Sequence, residues 1–166
     1  MSAPLEPNPG MSAADRAAIV DRLRSVLPAI LQMRPVVAAY LYGSVADGHV
    51  LPDSDIDIAL VLLPGHNLTA YDRVALELDV AAEIEDACDM REVDVRIIND
   101  APLVIQGTVL SDGIRVYSRD EDLRVEYEVF ARKHYFDFLP VARMIQRTYF
   151  HRKGVALRRQ RLLSHG

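Results

Sequence analysis

The sequence predicts an α/β (α+β) domain in which a small mixed four-stranded sheet has helices packed on one side. Four short apolar runs have the length of strands, amphipathic segments with helical spacing separate them, and Gly or Pro residues mark the boundaries. Strands this short favour a four-stranded sheet over a large doubly wound one. The chain of 166 residues has the size of one domain.

The first elements follow from caps and apolar spacing. Ser12 is a suitable N-cap for a helix, and Pro28 is expected to break or kink this helix near its end. The apolar run 36–42 predicts a buried strand. Residues 45–54, which are polar and contain glycine and proline, predict a short helical turn and a loop, and residues 55–63 predict a second strand.

The middle of the chain predicts a long helix followed by a strand. Residues 69–89 have helical spacing, with Tyr71, Val74 and Leu78 on successive turns. The apolar stretch 93–98 then predicts the third strand.

The last elements complete the alternating order. Asp100 is expected to cap a helix that ends at Gly113, and residues 114–117 predict a short fourth strand. From about Asp120 the pattern predicts a long helix, which we expect to break at Pro140.

Composition divides the chain into three parts. Residues 1–11 are rich in proline and predict a flexible N-terminal tail, residues 12–150 form the predicted domain, and residues 151–166 form a basic C-terminal tail. That last part carries five Lys or Arg residues and no acid, whereas the rest has fourteen basic and twenty-four acidic residues. A body this acidic repels nucleic acid, so we expect no direct nucleic-acid partner.

Other features of the sequence point to a cytoplasmic protein. The longest apolar runs are too short to span a bilayer, and the N-terminus lacks the basic and apolar regions of a secretory signal. The single cysteine, Cys88, cannot form an internal disulfide, and we interpret it as a buried structural thiol in a reducing compartment.

One segment combines a Gly-Ser pair with two acids, as Gly43-Ser44, ten residues, and Asp55-x-Asp57. Residues two apart in a strand project from the same face, so Asp55 and Asp57 point together while Ile56 points into the core. Such a pattern arises by chance in a chain of this length with a frequency on the order of a few per thousand. Reading Asp55 as a turn residue does not explain the second acid on the same face.

Paired carboxylates beside a glycine predict a site for Mg²⁺ and phosphate. Two carboxylates this close repel each other unless a cation lies between them, and Mg²⁺ takes carboxylate and phosphate oxygens. Gly43 allows close backbone approach, and Ser44 offers an N–H and a hydroxyl at the start of a helical turn. We therefore expect Asp55 and Asp57 to hold the metal, and Gly43 and Ser44 to bind the phosphates.

A third acid, Asp94, lies in the otherwise apolar strand 93–98. On the same side as the pair, it would complete a site for two metal ions that activate a hydroxyl and stabilise charge on an α-phosphate and a departing pyrophosphate. Asp94 would then be both a metal ligand and the general base. The alternative is a strand-edge acid that faces water. Arg96 projects from the same face, where pairing with the Asp94 carboxylate and contact with phosphate both remain open.

These motifs resemble the DNA polymerase beta-type nucleotidyltransferase superfamily. More closely, the chain resembles the MntA-like minimal nucleotidyltransferase (MNT) antitoxins, which are paired with HEPN-domain ribonuclease toxins. The resemblance extends over about residues 36–139. It rests on these segments: Gly43-Ser44…Asp55-Ile56-Asp57, Val93-Asp94-Val95, Asn99-Asp100-Ala101-Pro102, and Val109-Leu110…Gly113…Tyr117…Asp120.

The resemblance implies a nucleotidyltransferase fold and transfer of AMP from ATP, with Mg²⁺, onto a tyrosine of the cognate HEPN toxin, which blocks RNA cleavage. It also implies a hetero-oligomer with the toxin. The family's metal acids correspond to Asp55, Asp57 and Asp94, and its phosphate-binding pair corresponds to Gly43 and Ser44.

The sequence departs from many relatives at two positions. Asp47 stands where they have arginine, which removes a cation from the predicted triphosphate site. Ile97 stands where they have a further acid, and we interpret Ile97 as a core residue. All three predicted metal acids are present, so we expect an active enzyme.

Besides nucleotide addition to RNA, against which the acidic body counts, two other functions remain open at this point. One is nucleotidyl transfer to a small hydroxyl compound, although such enzymes normally carry an acceptor-binding domain for which this chain has little room. The other is a non-catalytic antitoxin that acts by binding alone, against which the cost of three unneeded clustered carboxylates argues.

Aromatic residues of the last helix are expected in the core, and a surplus on its outer face would indicate a partner-binding groove.

Overall fold

A computed structural model of the chain describes residues 12–48 and 55–163, with side chains to residue 144. It contains five helices and four strands within those ranges. The elements in chain order are α1 Ala13–Leu31, β1 Val36–Tyr42, α2 Gly43–Asp47, β2 Ile56–Leu62, α3 Ala70–Cys88, β3 Val93–Ile97, α4 Leu103–Asp112, β4 Ile114–Ser118 and α5 Glu121–Leu163. The predicted tail 1–11 and the loop 49–54 lie outside the described residues.

The four strands form one mixed sheet in the order β3-β2-β1-β4, which confirms the predicted fold class. β1 pairs antiparallel with both β2 and β4, whereas β2 and β3 are parallel. The parallel pair is connected through α3, as a crossover connection requires. Because β1 ends where β2 and β3 begin, the Gly-Ser turn and the three predicted acids come to the same end of the sheet.

Helices cover both faces of the sheet, so our expectation of helices on one side was wrong. On one face, buried residues of α1 and α3 pack on the side chains of Leu41, Ile58 and Leu60. On the other face, residues of α4 and α5 pack on Tyr40 and Val61. The apolar runs of β1 and β2 are buried on both faces, which explains why they lack the alternation of a half-exposed strand.

The helix starts follow their sequence signals. Ser12 and Asp15 form a capping box at the start of α1, and Thr69 and Asp72 form the same arrangement at α3. The buried face of α3, however, consists of Leu76, Val80, Ile84 and Cys88, whereas Tyr71, Val74 and Leu78 are exposed. Two apolar stripes run along α3, and the burial of only one of them could not be read from spacing.

Proline and glycine positions gave less accurate predictions. α1 continues through Pro28 to its end, and α5 continues through Pro140, so neither proline ends its helix. The N-cap of α4 is Pro102 rather than Asp100. Gly113 does follow α4, but with an extended backbone: a methyl group there would overlap the Val109 carbonyl oxygen, so close packing requires the glycine.

In the described residues, no helix is both long enough and apolar enough to cross a membrane. α5 is one continuous helix of 43 residues that begins in the domain and includes most of the predicted basic tail. The division at residue 150 therefore remains a prediction from composition.

Candidate active site

The turn after β1 places the Gly-Ser pair at the edge of the sheet. Gly43 has a φ of +71°, a backbone conformation that favours glycine, and it is the first residue of the one-turn helix α2. The next residue, Ser44, is partly exposed, whereas Val45 and Ala46 are buried in the core. The two buried residues fix the turn from below and leave the Gly43 and Ser44 backbone at the surface.

Gly43 lies directly against the carboxylate of Asp57. A methyl group on Gly43 would overlap Asp57 Oδ2 and lie 3.2 Å from Asp57 Cγ. A glycine is therefore needed here both for its positive φ and for this close approach to Asp57. Any phosphate bound by the turn would lie next to the Asp57 carboxylate.

Three polar side chains are aligned across β1, β2 and β3 at this end of the sheet. The strand register pairs Tyr42 with Asp57 and Asp57 with Asp94, so all three project from the same face. Asp57 and Asp94 are both partly buried, whereas Asp55, just before β2, is exposed. The structure thus brings Asp94 beside the Asp-x-Asp pair.

The electrostatics of this row reflect its crowding with negative charge. Burial raises the pKa of the Asp57 carboxyl above its ordinary value, and the charges of Asp94 and Asp55 raise it further. Burial also raises the pKa of the Tyr42 phenol, with smaller contributions from Asp57 and Asp94. Both pKa values shift in the direction expected where acidic groups are partly buried close to one another.

Arg96 partly supplies a compensating positive charge by pairing with Asp94. Its Nε donates to Asp94 Oδ2 over 3.1 Å, and the neighbouring carboxylate raises the pKa of the guanidinium. Of the two roles left open for Arg96, the structure shows the pairing. Among the described side chains, those of residues 12–48 and 55–144, no three acidic, histidine or cysteine side chains are arranged so that they could hold a metal ion as they stand.

The donor set nevertheless fits Mg²⁺. The side chains that converge are carboxylates, which Mg²⁺ prefers, and their mutual repulsion is of the kind that a divalent cation relieves. The residues that would hold it are Asp55, Asp57 and Asp94. A bound cation and Arg96 would compete for the Asp94 carboxylate.

Two glutamates that the sequence did not single out hold β3 in position. Glu85 and Glu77, two turns apart on α3, accept hydrogen bonds from the backbone N–H groups of Val93 and Ile97 over 3.0 and 2.7 Å. They satisfy donors on the open edge of a terminal strand and so fix Asp94 relative to α3. Ile97 packs against the core, as predicted. In the sequence, the sign of this role was that the two glutamates are eight residues apart, which places them on the same side of a helix.

Comparison with known families gives one match that covers more than half of the chain. The profile described as polymerase beta, nucleotidyltransferase matches residues 27–122, a range that includes all five predicted site residues. A comparison with curated protein sequences gave no match.

Several solved structures share the fold at low sequence identity. A chain of a toxin–antitoxin complex with AMP-PNP is 19% identical with a TM-score of 0.56, and the match covers 77% of this chain and 95% of that one. A chain from the complex of a tri-AMPylated Shewanella oneidensis HEPN toxin with an MNT antitoxin is 20% identical with a TM-score of 0.57, covering 79% and 98%. A chain of an MntA–HepT toxin–antitoxin complex is 20% identical with a TM-score of 0.56, covering 78% and 98%.

Proposed function

This chain belongs to the polymerase beta nucleotidyltransferase family, and we propose that it is a Mg²⁺-dependent protein adenylyltransferase. In this proposal it transfers AMP from ATP to a tyrosine of a cognate HEPN ribonuclease toxin and thereby neutralises the toxin. The antitoxin role, the metal and the tyrosine acceptor go beyond family membership.

The observation that carries the proposal is the arrangement of Gly43, Asp57 and Asp94. Asp57 lies between a glycine turn that contacts its Oδ2 atom and an acid paired with it in the neighbouring strand. A fold that needed only stability would not gather like charges on a partly buried surface, because their repulsion opposes folding. Phosphate binding and acid–base chemistry both use this arrangement.

Each residue has a distinct task in the proposed reaction. The backbone of Gly43 and the N–H and hydroxyl of Ser44 would bind phosphate oxygens, and Asp55, Asp57 and Asp94 would hold Mg²⁺. Bound Mg²⁺ supplies stabilisation of the charge on the α-phosphate and the pyrophosphate. Asp94 accepts the proton of the attacking phenol, whose oxygen forms a bond to the α-phosphorus while the bond to pyrophosphate breaks.

The proposed partner is supported by the related structures and by the outer surface of α5. Three similar folds come from toxin–antitoxin complexes, one with AMP-PNP and one with an AMPylated HEPN toxin. In this chain Phe130 and Phe136 of α5 are each 59% exposed, whereas Tyr127 of the same helix packs against the core as expected. Exposed aromatic side chains are suited to binding a protein partner.

Incubation with labelled ATP, Mg²⁺ and the protein product of the neighbouring gene tests the proposal. We expect label on a tyrosine of the partner, lost with Asp57→Asn and retained with Asp79→Asn, an exposed acid on α3. Tight binding of the partner without label would instead show a non-catalytic antitoxin. Label on a small hydroxyl compound alone would contradict the protein acceptor.

A further inference from the structure

Arg16, in the first turn of α1, contacts the turn that carries the Gly-Ser pair. Its Nη1 donates to the carbonyl oxygen of Ala46 over 3.0 Å, and the same nitrogen lies 3.3 Å from where a methyl group on Gly48 would be. Gly48 has a φ of +74° and caps α2. The absence of a side chain at Gly48 therefore leaves the space in which the guanidinium reaches the end of α2.

The position of Arg16 is set by the start of α1. The capping box of Ser12 and Asp15 begins the helix, and the Arg16 amide makes the first hydrogen bond, to the carbonyl of Ser12. A cation in the first turn of a helix is disfavoured by the helix dipole. The helix dipole therefore favours an acid at this position, and the hydrogen bond to the Ala46 carbonyl oxygen is the interaction that offsets this cost for Arg16.

α2 needs such a contact because it is too short to be stable alone. It has one turn, its N-cap Tyr42 makes no side-chain capping bond, and isolated helices of this length do not form. Besides the burial of Val45 and Ala46, a side-chain hydrogen bond from Arg16 ties the end of α2 to α1.

We propose that Arg16 is a positioning residue for the nucleotide site: it fixes the end of α2 and thereby keeps Gly43 and Ser44 in their phosphate-binding geometry. This inference rests on the proposed function for its consequence, since the turn is positioned for ATP. The contact itself does not depend on that function. In this proposal Arg16 acts through the backbone of the turn.

Arg22 on the same helix provides a matched control. Its Nη2 also donates to a backbone carbonyl, that of Ala87, over 3.2 Å, at the far end of α3 rather than at α2. Arg16→Met removes a partly buried arginine and Arg22→Met removes an exposed one. Each variant loses a hydrogen bond to a backbone carbonyl, and Arg22→Met also loses a contact with the Cys88 side chain. A general effect of loosening α1 is expected in both variants, and an effect on the turn in the first alone.

The first measurement is amide hydrogen exchange of residues 43–48 in the protein without nucleotide or metal. We expect exchange there to be roughly tenfold faster in Arg16→Met than in Arg22→Met, because a charge-assisted hydrogen bond is lost. Arg16→Lys restores a donor and should recover part of the protection. Equal exchange of this segment in the two methionine variants would overturn the proposal.

The second measurement separates positioning from chemistry. We expect the KM for ATP to rise roughly tenfold in Arg16→Met while kcat changes by no more than about twofold, because the acids are intact. An unchanged KM alongside faster exchange would overturn the role in nucleotide binding. If the wild-type protein neither binds ATP nor transfers AMP, the proposed function fails, and the exchange experiment still decides the role of Arg16 in fixing α2.

Discussion

Replacement of Gly43 by alanine separates the two reasons for a glycine at this position. The residue has a positive φ, and the space that a methyl group would occupy is filled by the Asp57 carboxylate. A positive φ costs a residue with a β-carbon about 1–2 kcal/mol. Forcing a methyl group into a filled site costs a further 1–3 kcal/mol, roughly, if the neighbour stays in place.

Gly65 provides the control because it has the same backbone conformation and an empty surrounding. Its φ is +72°, and nothing lies within 4 Å of the position of an added methyl group. Gly65→Ala should therefore lose only the conformational part, about 1–2 kcal/mol. The effect of alanine on the unfolded chain is the same in both variants and cancels in the comparison.

Urea unfolding and calorimetric titration with ATP and Mg²⁺ together give the result. We expect Gly43→Ala to bind ATP far more weakly than wild type. Its free energy of unfolding should also be lower than that of Gly65→Ala by about 1–3 kcal/mol, unless the Asp57 carboxylate rotates away and relieves the overlap. Such rotation removes a metal ligand, so binding is lost in either case. Equal stability of the two variants together with wild-type ATP affinity would refute the account of Gly43.

The remaining predictions concern the charges of the site. Because the pKa of Asp57 is raised in the folded protein, ionised Asp57 opposes folding, and stability falls as pH rises from the ordinary value of 3.8 through the raised one. Asp57→Asn should consequently raise the Tm of the metal-free protein near neutral pH, and a lower Tm in calorimetry would contradict this. Arg96→Met frees the Asp94 carboxylate, so Mg²⁺ titrated without nucleotide should bind more tightly than to wild type. Unchanged or weaker binding would show that Arg96 and the cation do not compete.

Much of the site could be predicted because its signals are local. The Gly-Ser pair and Asp55-x-Asp57 depend on a turn and on strand alternation, both of which a short stretch of sequence determines. The pairing of Asp94 with Asp57 needed the further fact that β2 and β3 are neighbours and in register. That fact depends on the whole sheet, and in the sequence it could be expected only from the resemblance.

The features that were not predicted depend on which surfaces meet. α3 has two apolar stripes, and only contact with the sheet decides that Leu76 rather than Leu78 is buried. The bond from Arg16 to Ala46 joins residues thirty positions apart and leaves no mark in local spacing. α5 continues on both sides of Pro140, so the loss of the hydrogen bond that this proline cannot donate does not end the helix.

In the proposed site, acids from two adjacent strands together hold Mg²⁺, and the bound Mg²⁺ helps to bind ATP. ATP binding measured at increasing Mg²⁺ concentration tests this most directly. We expect the affinity of the wild-type protein to rise with Mg²⁺, and this rise to be absent in both Asp57→Asn and Asp94→Asn. ATP affinity that is independent of Mg²⁺, or that is unchanged in Asp94→Asn, would contradict the assignment of these carboxylates to one site.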